Sequence, residues 1–155
     1  MTAVTIDSLA SLLRYCEQFA QQMLARSGEF HPFGSFVNAE GKIEALGAHL
    51  GSEFPAGGEV YTFLESAVAS MAAQGKVSAY ALAANVSIPS GLASPLPDGI
   101  RVHVEAPGYS RLVYTPYRIL PLHAVRKFLA VVPTVEYLEP IVVDVPSRVF
   151  VNAAG

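Results

Sequence analysis

The stretch GEFHPFGSFVNAEG, residues 28–41, decides how the front of this chain folds. Gly28 is a natural stop for a preceding helix, because glycine takes a left-handed C-cap without steric cost. Three phenylalanines, a histidine and a proline then fill a strand running from about Glu29 to Asn38. Asn38-Ala39-Glu40-Gly41 suits a type I turn with Gly41 left-handed, and a second strand from Lys42 to about Ala48 completes a hairpin. Alternation sets Phe30, Pro32 and Phe36 on one side of the first strand, with Phe33 and Val37 on the other. Both sides therefore need cover; helices supply one, and the other is open to a partner or a ligand.

Upstream, Leu9, Leu12, Leu13, Cys16, Phe19, Ala20, Met23 and Leu24 recur at three-and-four spacing, which predicts a helix with Asp7 as N-cap. Downstream, a loop over 50–58 leads to a second amphipathic helix presenting Val60, Phe63, Leu64, Ala67, Val68 and Met71 and ending at Gly75. The composition then changes. Nine of the eleven prolines lie after Ile88, and β-branched residues and tyrosines dominate. Strands are expected over Lys76–Ile88, Ile100–Ala106 and Tyr109–Tyr117, the last two forming a hairpin around Pro107-Gly108. Past Arg118, residues from Pro121 read as a short helix or an edge strand. Val135–Leu138, Ile141–Val145 and Arg148–Val151 read as short strands, each bounded by a proline that spoils a central position. One α+β domain over residues 1–155 accounts for the chain. It is expected to hold an antiparallel sheet of five or more strands with two main helices on one face, in the order α-β-β-α-β-β-β followed by a short β-rich segment.

Bulk composition narrows the function classes. At 155 residues the chain can bury a core without staples, and with 52% hydrophobic and only 15% charged residues it is more apolar than soluble proteins, in which about a quarter of residues are charged. A second copy covering part of the apolar surface explains the excess, so a homodimer is expected. A net charge of −3 gives no basic face for nucleic acid. Up to Lys76 four basic residues stand against eight acids, and from Val77 six against five. Cys16 is the single cysteine, so there is no internal disulfide and no cysteine-based zinc site; on the apolar helix face it reads as a core residue. The N-terminus lacks the basic residue and apolar run of a secretory signal, and no stretch reaches the ~18 apolar residues of a membrane span. A cytoplasmic protein that binds neither membrane nor nucleic acid is expected, with no cofactor and no metal.

The second hairpin defines candidate chemistry. With Pro107-Gly108 as the turn, position i opposes position 215 − i, so Glu105 meets Ser110, His103 meets Leu112 and Arg101 meets Tyr114. Arg101, His103, Glu105, Ser110 and Tyr114 then share one face, with Arg111 a misfit on the other. A histidine beside a carboxylate, a hydroxyl and an arginine has the parts of a general acid and base with an anion anchor. Ordinary alternation on a sheet with one wet face yields the same residues, and the solvated face is the preferred reading. His31, two residues from Glu29, is the second candidate, and its structural reading is likewise preferred. His49 and Glu53 lie in a connector. His123, Arg126 and Lys127, with Arg111 and Arg118 upstream, form a basic run without an acid, which reads as a solvated face or an anion patch. Gly57-Gly58 before a helix lacks the lysine and hydroxyl residue of a phosphate loop, and Glu59 would repel a phosphate.

Residues Gly28–Gly41, the helix ending at Gly75 and Thr115-Pro116-Tyr117 together resemble small uncharacterised bacterial proteins that carry a Gly-Glu-Phe-x-Pro-Phe-Gly motif. That resemblance implies a bacterial source and carries no activity with it. The element order is also similar to profilin-like and roadblock-type domains, which implies a dimeric scaffold or a small-ligand sensor; strands stand where a roadblock domain has its C-terminal helix. Type III secretion chaperones have a similar mix of elements.

Three functions are consistent with these observations, and a non-enzyme is preferred. The first is an interaction or scaffold domain that self-associates, or holds a protein partner, through exposed Phe36, Tyr114 and Tyr117. The second is a small enzyme or ligand-binding domain with a site between helices and sheet, using His103, Glu105 and Arg101, or His31. The third is an immunity or chaperone-like protein.

Overall fold

The computed structural model describes residues 4–47, 57–120 and 134–151. Two helices pack against one antiparallel sheet, in the expected order. α1 (Ile6–Ser27) is followed by β1 (Phe33–Asn38) and β2 (Ile43–Leu46), then α2 (Gly57–Ala73) and β3 (Val77–Ser87). β4 (Asp98–Ala106) and β5 (Tyr109–Leu120) form the long hairpin, and β6 (Thr134–Tyr137) and β7 (Ile141–Asp144) close the sheet. The strands lie side by side as β2-β1-β3-β4-β5-β6, with β7 also paired to β5. Among the described residues no helix is long and apolar enough to cross a membrane.

Local chemistry sets most boundaries. α1 is capped by Thr5, two residues ahead of the expected Asp7: Thr5 is extended and its Oγ1 accepts the Ser8 amide at 3.0 Å. Asp7 sits in the first turn instead, where its charge favours the helix dipole. Gly28 and Gly41 are left-handed as expected, and Asn38 Oδ1 accepts the amides of Glu40 and Lys42 to hold the first hairpin. Gly34 is required for another reason: a Cβ there would sit 2.4 Å from the Ala81 carbonyl oxygen, so no side chain fits between β1 and β3.

The helices do not share a face of the sheet, as the sequence had suggested. Leu12, Cys16, Ala20 and Leu24 of α1 pack on Phe33, Val37, Ala79, Ala81, Ala83, Ile100, Val102 and Val104. Val60, Leu64 and Val68 of α2 pack on Tyr80 and Leu82, the alternate residues of β3, with Phe36 beside them. The alanine-rich β3 is apolar on both sides because it is covered on both sides. Phe63, assigned to the apolar face of α2, is 45% exposed. Cys16 is fully buried with its thiol pushed up to about 12, chiefly by burial, which leaves it inert as a nucleophile. Phe30 precedes the ladder and so escapes alternation, packing its ring on Phe33 at 5.8 Å.

The β4–β5 register follows the expected rule throughout, from Ala106 opposite Tyr109 to Asp98 opposite Tyr117. β6 and β7 lie end to end along the outer side of β5. Tyr117 pairs Tyr137 and Tyr114 pairs Ile141, so four steps along the edge match three along β5, a bulge in which Leu138 donates its amide to Pro116 O. Residues 148–151, expected as a strand, pair with no strand among the described residues. Residues 145–150 form a strap that crosses the α2 side of the sheet, with Arg148, Val149 and Phe150 held to Glu105. The helix or strand expected over 121–132, with His123, Arg126 and Lys127, lies outside the described residues, as do His49 and Glu53.

Candidate functional site

Alternation on β4 brings Arg101, His103 and Glu105 to the α2 side, as the sequence indicates, but that side is not solvated. His103 is 3% exposed and Glu105 is fully buried. α2 reaches over the sheet only as far as β3 and the edge of β4, and the strap covers the remainder.

Glu105 anchors that strap. Its Oε1 accepts the Tyr80 hydroxyl at 2.5 Å and the Arg148 amide at 3.0 Å, and its Oε2 accepts the amides of Val149 at 3.0 Å and Phe150 at 2.7 Å. A buried carboxylate is tolerated only when its lone pairs are filled by donors, and here four groups fill them. Tyr80 is held protonated: burial and the facing carboxylate both push its phenol far up. The Phe150 ring lies over Tyr80 at 6.2 Å, and Arg148 Nε reaches Glu65 Oε2 of α2 at 3.4 Å. The acid marked as a catalytic candidate is thus a structural tether, which accounts for the extended but unpaired course of residues 148–150.

His103 is equally committed. Its Nε2 lies 2.9 Å from Ser110 Oγ, and Ser110 Oγ donates to Pro146 O at 3.3 Å. With the serine hydrogen spent on the strap carbonyl, the network assigns the imidazole proton to Nε2, donating to Ser110. Ser110 is therefore not deprotonated by His103, and Glu105 stands 3.9 Å away on the same nitrogen, not behind the other one as in a nucleophile relay. Burial lowers the His103 pKa; Glu105 raises it in part, while Arg101 and Arg148 lower it further, so the ring is neutral at pH 7.

Arg101 is different. It is partly exposed, its guanidinium carbon lies 5.0 Å from the centroid of the Tyr61 ring, and its Nε is buried with no partner. It borders two adjoining cavities. One, of about 350 Å³, is walled by Tyr61, Glu65, Arg101, His103, Leu112 and the strap residues Val145, Pro146 and Arg148. The other, of about 520 Å³, runs from Tyr61 and Arg101 past Ala84 and Val86 to Phe30, His31 and Pro32. Both fall in the size range of small-molecule sites. His31 is exposed at the rim of the larger cavity with Glu29, so the two histidine candidates face different ends of one trough. Burial raises the Tyr61 phenol, against the Arg101 charge that lowers it.

The aromatics expected as an exposed interaction surface do not form one. Tyr114 and Tyr117 are 5% and 6% exposed, Tyr117 on the α1 side with its hydroxyl donating to Asn85 Oδ1 at 2.7 Å, and Phe36 is half-buried under α2. Arg111, the misfit, is exposed at the start of β5, pairs with Asp144 at 2.8 Å and lies over the Tyr109 ring at 4.9 Å. Arg118 pairs with Glu136 at 2.9 Å, so these two members of the basic run do have acids, supplied by β7 and β6. Sequence reasoning missed Tyr61, Glu65, Tyr80 and Arg148. The available signal was β3, whose apolar residues on both sides imply a covered second face for its neighbour β4. Among the described residues no cluster of three or more His, Cys, Asp or Glu is placed to hold a metal ion. Comparison with protein-family models, curated proteins and solved structures returns no match.

Proposed function

We propose that this protein is a small-ligand-binding domain whose site is the trough between α2, the β4–β5 hairpin and the C-terminal strap. The observation that carries this reading is the pair of adjoining cavities sharing Tyr61 and Arg101. Glu105 and His103 are consumed by holding the strap, so the trough is built to bind rather than to transfer protons. The element order similar to profilin-like and roadblock-type domains accords with a ligand sensor. Native mass spectrometry of protein purified without denaturation, together with amide chemical-shift mapping against a fragment set, tests it. A small-molecule adduct, or shifts clustered at Tyr61, Val86 and Arg101, is expected; no adduct and no perturbation of the trough by any fragment would overturn it. We place the protein in the cytoplasm, which cell fractionation checks.

Self-association is a second reading, supported by β2, an edge strand of four residues with Ile43, Glu44 and Ala45 exposed. It predicts a dimer by light scattering that Ala45→Pro converts to monomer; a wild-type monomer at high concentration removes it.

A further inference from the structure

We infer that the trough takes a monocarboxylate with an apolar body, its carboxylate held by Arg101 where the two cavities meet. This rests on the trough being the binding site. The described arginines divide cleanly. Arg111, Arg118 and Arg148 each hold a carboxylate at 2.8, 2.9 and 3.4 Å, and Arg14 and Arg26 stand exposed on α1. Arg101 is the partly buried one, with no carboxylate partner and no acceptor for its Nε among the described residues. A buried donor left unfilled is costly, and a planar carboxylate fills Nε and a neighbouring nitrogen together. The Tyr61 ring, with its centroid 5.0 Å from the guanidinium carbon, holds the charge at this place by a cation–π contact.

The surroundings set the rest of the ligand. Phe30, Pro32, Ala84 and Val86 give the larger cavity an apolar wall able to hold an aromatic or aliphatic body. Glu65 in the smaller cavity is already paired with Arg148, and Glu29 stands exposed at the rim of the larger one, so Arg101 is the cation left to match a ligand, and one carboxylate matches its single charge. His103, neutral and committed to Ser110, adds no second positive charge.

The test uses benzoate, with benzamide, benzylamine and inorganic phosphate as controls, titrated into the full chain and followed by proton–nitrogen correlation spectra that include the arginine Nε–H signals. Benzoate is expected to move the Arg101 Nε–H signal and the amides of Val86 and Phe30, and benzamide to bind about tenfold or more weakly. Arg101→Gln is expected to remove the preference for benzoate over benzamide. Val86→Phe, which fills the larger cavity and keeps the arginine, is expected to abolish benzoate binding, and it stands as the control if Arg101→Gln does not fold. Equal shifts with benzamide or benzylamine, or stronger ones with phosphate, would overturn the ligand class and leave the trough as a site. Silence from every probe would overturn both. Benzoate shifts that persist in Val86→Phe would place the anion elsewhere and overturn the assignment.

Discussion

The two faces of the sheet are built from alternate residues of the same strands, yet they are held together differently. The α1 face is mainly apolar, four buried residues of one helix meeting Phe30, Phe33 and Tyr117 together with alanine, valine and isoleucine on β3 and β4. The α2 face carries Tyr80, Arg101, His103, Glu105 and Ser110, covered partly by a helix and partly by a six-residue strap. Apolar packing is non-directional, so a single long helix suffices for the first face. Polar groups need a specific partner each, and a strap with free amides supplies partners that a helix, whose amides are already spent on itself, does not. The first face therefore stores stability, and the second stores specificity together with the two cavities that Arg101 borders.

Substitutions sharpen this contrast. The largest effect is expected from Leu24→Ala on the α1 side, a loss of about 2–5 kcal/mol in denaturant unfolding with all core amides losing exchange protection together. Glu105→Gln is expected to cost about 1–3 kcal/mol, since an amide nitrogen turns toward N–H donors that need an acceptor. Its loss of protection should fall on Arg148, Val149 and Phe150 before α1. If α1 amides open equally, the strap is part of the main core and the contrast fails.

The two faces also predict opposite responses to pH. On the α1 side, Glu17 accepts the Thr115 hydroxyl at 2.9 Å, and burial raises its pKa above 4.5 despite that bond. The folded state then holds its proton more tightly, so the Glu17 contribution is fully present below 4.5 and declines as pH rises through the folded value. On the α2 side, His103 is lowered below 6.5, so the unfolded state takes up the proton first and stability falls as pH drops from 6.5 through the folded value. Unfolding midpoints across pH should flatten above 4.5 in Glu17→Gln and below 6.5 in His103→Gln; a single variant that removes both slopes would break the assignment. The smallest effect is expected at Phe63, exposed on the outer side of α2, where Phe63→Ser should change stability by about 0.5 kcal/mol or less.

Much of the architecture was legible because it is local. The three-and-four spacing of α1, the Asn38–Gly41 turn and the Pro107-Gly108 hairpin each depend on residues close in the chain, and the register of β4 on β5 follows from the turn alone. The site was half legible. Alternation correctly gathered Arg101, His103 and Glu105 on one face, but whether that face is wet depends on residues 145–150, about forty positions downstream, and on α2, about forty upstream. Nothing within β4 reports them. The expected strand over 148–151 had the right extended composition, and its amides were claimed by a side chain instead of a neighbouring backbone. The helix placement failed similarly: amphipathicity shows that a helix has a buried side without saying which side of a sheet receives it.

The bulge between β6 and β7 bears on how copies of this chain can meet. An extra residue at Leu138–Pro140, the missing amide of Pro140 and the acidic Glu136, Glu139 and Asp144 leave that border of the sheet too interrupted to template another strand. β2, at the opposite border, carries no such interruption among the described residues. If two copies do pair as the second reading proposes, β2 is the border they would share, because an isologous contact between two such edges leaves the interrupted borders on the outside.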